Sequence, residues 1–447
     1  MIRREQLPEL RIFARAEKGL QLCTDSTFAA LVVPNGNGSA AGHRWFKYKE
    51  AFSSELLSSV LARLRTDQSA RAIRMLDPYC GVGTSLLSAQ LLDAKIESFG
   101  IECNPFSAFV ARTKLSWHLM DAVKIRWLAA KLLAQTHTGE IALPQLSSIA
   151  SGRCITRHMA RQIMQFRRAL DTLPPSIERE ALKLGLASVI EPVSRIRRDG
   201  RALRIVEKQR IVFREALANR WSTIADDVEV LQKAHRKPHP AKILIGDGRQ
   251  PETVGIANGS IDLIVTSPPY PNNIDYNEVY KLELWFLGYA KTAEEFLALR
   301  RATFRSHPTC SPVVSQDDNL DEKFCQLLNN GPFAELMGTV IRRVEKIEKA
   351  DRRGRSKVLL GYVHDTWKSL QAHYRSLRRG GRAIYVVGNS LHGGSENPYL
   401  VPTDLIFAKL AQGIGFKVEE LIIARGLQRR LAGNHFLRDT VVVLRKN

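Results

Sequence analysis

The chain has 447 residues, more than one hydrophobic core usually spans, so one large domain with insertions or two to three domains is expected. Lys and Arg total 66 against 45 Asp and Glu, a formal charge of +21 that points to a polyanionic partner such as nucleic acid. No window approaches the roughly 20 apolar residues of a membrane span, "MIRREQLPEL" lacks a signal-peptide core, and the six cysteines show neither CxxC nor zinc-finger spacing, so a reduced, cytoplasmic protein without membrane or metal site is expected.

In chain order, "NGNGSAAG" at 35–42 reads as a flexible connector. "HRWFKYKEAFSSELLSSVLARL" then passes from an aromatic-basic stretch into an amphipathic helix with Ser53 or Ser54 as its cap. "AIRML" predicts a strand, "DPYCGVGT" a turn and "SLLSAQLLD" a helix, followed by a strand "SFGIE" at 98–102 and a helix through "SAFVARTKL". This β-α-β unit predicts the α/β class, a parallel sheet covered by helices. From about 118 to 240 long helical patterns dense in Arg and Lys take over, among them "RHMARQIMQFRRAL" and "VSRIRRDGRALRIVEKQR". Strands return with "AKILI" at 241–245 and "IDLIV" at 261–265, and a mixed polar region covers about 290–356. A helix "TWKSLQAHYRSL", a turn "RRGG", a strand "RAIYVVG", a helix "TDLIFAKLAQGIG" ending on glycine, and strands "KVEELIIA" and "DTVVVLRK" complete the chain. The expected division is 1–117 (N-terminal segment and cofactor-binding half), 118–240 (basic insertion), 241–289 (catalytic half), 290–356 (second insertion) and 357–447 (end of the sheet).

Two turns at strand ends carry chemistry. In "DPYCGVGTS" the strand ends on Asp77 and the turn passes Pro78, Cys80, Gly81, Gly83 and Thr84 before a helix opens. Glycines allow close backbone approach to a ligand, and the helix N-terminus offers free amide donors. Glu102 stands at the next strand tip, at the spacing where a carboxylate takes ribose hydroxyls, beside Cys103 and Asn104. The dinucleotide fingerprint wants glycine where Leu86 stands, and the P-loop Gly-Lys-Ser/Thr is absent. S-adenosylmethionine fits better than a phosphate cofactor, since its ammonium and sulfonium favour a nearby Asp77; the competing reading is a structural turn. Asp247 and Gly248 in "LIGDGR" again follow a strand and could meet the adenine amino group, or form a plain turn. The second turn is "TSPPY", Ser267, Pro268, Pro269 and Tyr270, where a hydroxyl, a rigid turn and an aromatic ring follow a buried strand.

"DPYCGVGTS", "GIECNP", "GDGR" and "TSPPY", in that order, resemble the S-adenosylmethionine-dependent DNA amino-methyltransferases of the N4-cytosine and N6-adenine type, over about half of the chain. The resemblance implies a class I methyltransferase, Rossmann-like fold: a seven-stranded, mostly parallel sheet with helical insertions and an antiparallel last strand. It implies S-adenosylmethionine as cofactor, held by Phe46, Asp77, Pro78, Cys80, Gly81, Gly83, Thr84, Glu102, Cys103, Asn104, Asp247, Gly248 and Ser267. Trp45, Phe46 and Tyr48 resemble the family's cofactor-flanking segment, with an aromatic packing cluster as the equal alternative. Ser267 Oγ and the Pro268 carbonyl would accept N–H bonds from an exocyclic amine, Pro268 and Pro269 would hold them rigid, and Tyr270 would stack on a flipped base. No Pro-Cys pair offers the thiolate of carbon-5 methylation, and Cys80 and Cys103 read as packing residues. Serine in first motif position is, in that family, commoner for cytosine N4; adenine N6, a base in structured RNA, and a non-catalytic nucleic-acid-binding scaffold are the alternatives.

Double-stranded DNA is the expected partner, alongside a cognate restriction or defence component. In "RIRRDGRALR" the density of arginine around a glycine turn suits phosphates and guanine edges, so Arg197, Arg198 and Arg201 are expected to contact DNA. Asn272, Asn273 and Asp275 could touch the base or the cofactor, or form a solvated loop.

Overall fold

The computed structural model describes the whole chain apart from residues 1–6, 8, 65–71, 136–138, 199–202, 210, 236–237, 273, 311–320, 349–353, 394–397 and 428–434. Eight strands form the central sheet: β1 (Leu22–Thr24), β2 (Ile73–Asp77), β3 (Ile96–Glu102), β4 (Ala241–Ile245), β5 (Ile261–Thr266), β6 (Leu377–Gly388), β7 (Phe416–Gly426) and β8 (Arg438–Lys446). Their order is β1-β7-β8-β6-β5-β2-β3-β4. β2, β3, β4, β5 and β6 run parallel, whereas β8 lies antiparallel between β6 and β7. This is the class I methyltransferase fold, including the antiparallel last strand. The eighth strand is the difference: β1 pairs in parallel with β7 at the sheet edge, Leu22 opposite Leu421.

Apolar runs make the inner strands β2, β3, β5, β6 and β8 buried on both faces, as a helix-covered parallel sheet requires, whereas the edge strands β1 and β4 hold no buried residue. Along β2 and β5 successive side chains alternate: Met75, Leu263 and Val265 enter one core with Leu57 and Val60, while Leu76 and Ile264 enter another with Tyr362 and Leu405. The "RRGG" segment is not a turn before the strand. It lies within β6 as an irregularity, Ile261 facing Leu377 and Leu263 facing Arg382, with Gly380 at φ +74° absorbing the extra residues.

The 118–240 insertion forms four long helices, Ala122–Ala134, Arg157–Asp171, Ile177–Val193 and Phe213–Ala234. They share one continuous apolar core with Leu86 of the Thr84–Leu91 helix and Phe106 and Val110 of the Pro105–Leu115 helix. "VSRIRRDGRALRIVEKQR" departs from its helical pattern: Ile196–Arg198 and Leu203–Ile205 pair as an antiparallel ribbon. Nor is 35–42 a loose connector. Asn37 binds the Phe52 carbonyl (2.8 Å) and the Ser54 amide (2.8 Å), and the Gly42 amide donates to buried Asp227 (3.0 Å). Neither Ser53 nor Ser54 caps the following helix, which begins after Glu55; Ser53 Oγ only accepts the Glu55 N–H (3.3 Å).

Candidate active site

The chain visits β2, β3 and β4 outward in one direction, then returns to place β5 on the other side of β2. Loops leaving β2 and β5 therefore diverge, and such a switch point is where open α/β sheets bind ligands. Thr266 Oγ1 bridges it, donating to Asp77 Oδ1 at 2.7 Å. The cleft there measures about 970 Å³ including its mouth.

Of the residues expected from the sequence, Asp77, Pro78, Cys80, Gly81, Thr84, Glu102, Cys103, Asn104, Asp247, Gly248, Ser267 and Pro269 all line this one cleft. Gly81 (φ +52°) sits against Tyr48, where a Cβ would approach the ring to 3.2 Å. A Cβ on Gly248 would lie 2.1 Å from the Pro78 carbonyl, so only glycine lets the β4 loop cross the β2 loop. Gly83 does not face the cleft. It opens the Thr84–Leu91 helix at φ +77°, and its bare Cα accommodates Ala111.

The lining is acidic. Glu50, Asp77, Glu102 and Asp247 contribute carboxylates, and among the described residues no Lys, Arg or His joins them. Asp77 is buried, accepting from Thr266, from the Tyr79 amide (3.1 Å) and from Ser85 Oγ; burial nonetheless raises its pKa to about 6. Glu102 spans two backbone donors, Gly81 N–H at 2.9 Å and Asn104 N–H at 2.7 Å, and burial raises it to about 7. Glu50 is held by the Tyr280 hydroxyl (2.8 Å) through Oε2, while Oε1 is buried without a hydrogen-bond partner. Asp247 is paired with Arg249 (2.7 Å), which also binds Asp365 (2.8 Å). An acidic, partly unsatisfied cleft fits a cationic ligand, and the glycine crossings fit one that lies flat against backbone.

At the β5 tip, Tyr270 Oη donates to the Val386 carbonyl (3.0 Å) and contacts Ser267 Oγ (2.9 Å). A phenol has one proton, so the Ser267 hydroxyl must donate to Tyr270. Its lone pairs remain, making Ser267 an acceptor at the cleft. Pro268 is buried behind the lining, and Tyr270 stands against Gly388 of β6 rather than in the cleft wall.

Several expectations need correction. Phe46 is 3 % exposed and packs edge-on to Phe106 (5.2 Å between centroids), so the aromatic that reaches the cleft is Tyr48. Asn104 is chiefly a helix cap, its Oδ1 accepting from the Phe106 and Ser107 amides (2.9 and 3.0 Å). Asp275 caps Tyr276–Val279 and pairs with Arg300 (2.6 Å); Asn272 accepts the Ile274 amide (3.2 Å). Burial pushes the Cys80 thiol up, which removes it as a thiolate nucleophile, whereas Cys103 is exposed at the cleft and is not the packing residue expected. Arg198 is 3 % exposed, paired with Glu191 (2.8 Å) and Glu283 and stacked over Tyr280 (4.5 Å); it is a core ion pair and not a DNA contact. Arg197 is exposed, and Arg201 and Asn273 lie outside the described residues. Sequence reasoning missed Glu50 and Tyr276, and also Thr303, Phe304 and Ser306, by which the second insertion walls the cleft. Only the charge of Glu50 in "KYKEAF" was a signal.

No family model matches the chain. It is 25 % identical, over 94 % of its own length and 90 % of theirs, to the type II methyltransferases M.AvaI of Nostoc sp. and of Anabaena variabilis. It is 24 % identical to the type II methyltransferase M.BsoBI of Geobacillus stearothermophilus, over 88 % of this chain and 82 % of that one. Among solved structures, an rRNA methyltransferase, aviRa of Streptomyces viridochromogenes, aligns at a TM-score of 0.33 and 12 % identity over 94 % of this chain and 93 % of that one. TrmN of Thermus thermophilus aligns at 0.30 and 11 % over 89 % and 49 %. Scores this low bear no weight. Near-full-length similarity to the type II enzymes supports a methyltransferase.

Proposed function

We propose that this chain is a site-specific DNA methyltransferase that transfers the methyl group of S-adenosylmethionine to an exocyclic base amine, N4 of cytosine before N6 of adenine. The likeness to type II methyltransferases supports DNA as substrate, and a cognate restriction or defence component is the partner that goes with this reading. The choice of cytosine follows from Ser267 in first motif position and from the resemblance.

The observation that carries the reading is the placement of an obligate acceptor, Ser267, in the same acidic cleft as Asp77, Glu50 and Glu102. When bound, S-adenosylmethionine supplies an electrophilic sulfonium methyl. Glu102 would take the ribose hydroxyls on the lone pairs that Gly81 and Asn104 leave free. Asp77 and the unpartnered Glu50 oxygen would face the ammonium. An exocyclic amine is a poor nucleophile because its lone pair is delocalised into the ring. Ser267 Oγ, accepting an N–H bond of the amine, would draw the nitrogen towards tetrahedral geometry, while Tyr270, behind the cleft wall, would hold the Ser267 proton away from it. Arg197 and Arg201 would hold the duplex.

Incubation with methyl-labelled cofactor and genomic DNA, followed by nucleoside analysis, tests the proposal. N4-methylcytosine is expected. N6-methyladenine would select the alternative base, label confined to RNA would move the substrate, and no label with the cofactor bound would leave a binding scaffold.

A further inference from the structure

Across a wall made by Tyr48, Ala51, Val82 and Thr84, the cofactor cleft backs onto a second cavity of about 880 Å³. Its lining inverts the charge of the first. Arg44, Lys47, Lys49, Lys114 and Arg220 contribute cations, His43 an imidazole, and among the described residues no carboxylate lines it. These residues come from three separate pieces of chain: the N-terminal segment, the Pro105–Leu115 helix, and the Phe213–Ala234 helix of the insertion.

Lys114 is the anomaly. It is 2 % exposed, and its Nζ makes one hydrogen bond, to the His43 carbonyl at 3.2 Å, although an ammonium has three donors. No neighbouring carboxylate offsets its burial, which pushes its pKa down to about 7. His43, 4 % exposed, has a buried Nδ1 with no partner, and burial lowers its pKa to about 3, so it meets Lys114 as a neutral ring. Arg44 is paired with Asp227 at 2.5 Å, and longer-range attraction reaches Arg220 from Asp227 and Lys49 from Glu50. Lys49 donates only to the Arg198 carbonyl, and Arg220 to the Arg44 carbonyl at 2.9 Å. A buried ammonium without a counter-charge is costly, and a methionine would fill the same space at less cost.

We propose that this cavity binds a phosphate group. One carboxylate would balance a single cation, whereas Lys47, Lys49, Lys114 and Arg220 all reach this lining. A tetrahedral oxyanion brings more charge and accepts from several converging donors at once. The phosphate is either free phosphate or a phosphodiester of the nucleic-acid backbone, and the site stands whether or not the catalytic reading above holds.

Titration calorimetry with inorganic phosphate on the full chain is the test, repeated on Lys114→Met and Arg220→Gln. One-site binding is expected, weakened about tenfold or more by Lys114→Met and less by Arg220→Gln, as for loss of a charge-assisted hydrogen bond. Phosphate should raise the melting temperature of the wild type and not that of Lys114→Met. Should Lys114→Met fail to fold, the Arg220→Gln arm still decides. Competition between phosphate and a short blunt duplex assigns the site to the nucleic-acid backbone; phosphate binding that the duplex leaves untouched assigns it to free phosphate. Wild-type protein that does not bind phosphate overturns the proposal. So does phosphate that is displaced by S-adenosylmethionine while Lys114→Met loses cofactor affinity, since the cavity would then be the far end of the cofactor cleft.

Discussion

The proton order at the β5 tip makes Ser267 and Tyr270 separable. Ser267→Ala should lower the methylation rate about 10²-fold or more, as removal of a preorganised polar group does, at unchanged cofactor affinity. Tyr270→Phe keeps the ring but frees the Ser267 proton to turn inward, and should cost about tenfold in kcat with the same Kd for cofactor. Single-turnover kinetics beside calorimetry checks both, and a wild-type rate in Tyr270→Phe would end the role given to its hydroxyl. The cleft carboxylates set a pH dependence. Glu102 and Asp77 ionise near 7 and 6, above their ordinary range because they are buried, so below those values a proton competes with a cationic cofactor. Cofactor affinity should fall as pH drops through 7 and again through 6, by up to about tenfold per unit for each group, and Asp77→Asn should erase the lower step. Affinity that holds level from pH 8 to 5 would contradict this. Asp77, Gly81, Glu102 and Ser267 were legible because each sits at a strand end in a recognisable turn. Glu50 and Phe304 were not, since the distant segments that carry them reach the cleft only through the packing of helices.

At the scale of elements, the basic ribbon teaches why charge density alone misleads. Strand geometry sends successive side chains to opposite faces, so Arg197 is exposed while Arg198, its neighbour, is locked among Glu191, Glu283 and Tyr280. The two arginines should fail in different assays. Arg198→Ala leaves buried carboxylates unpaired and should cost about 3–5 kcal/mol of stability, read by denaturant unfolding. Arg197→Ala should leave stability alone, weaken duplex binding and reduce the salt slope by about one unit; an unchanged slope would turn the search for DNA contacts to residues 290–356. Elements with dense apolar runs, such as "AKILI" and "IDLIV", were readable from sequence and form β4 and most of β5. Leu22–Thr24 and the ribbon were not: three-residue strands carry no period to detect, and pairing rather than propensity makes them strands.

Over the whole molecule, the fold class, the parallel strands and the antiparallel last strand were all readable, because turn chemistry and apolar patterning agreed along the sheet-forming half. The covering of its edge was invisible. β1 lies against β7 near the other end of the chain, with Asp25 N–H donating to the Ile423 carbonyl (3.1 Å) and Leu421 N–H to the Gln21 carbonyl (2.8 Å). Contacts so remote in sequence must overcome a large loop-closure entropy before they are rewarded. The chain from Thr24 to Leu421 must emerge from the ribosome before residues 22–24 meet their partner, so this edge should close late. Pulse-labelled hydrogen exchange during refolding should find the Leu421 amide protected after those of β2 and β5; early protection there would mean that the two ends of the chain find each other before the sheet between them exists.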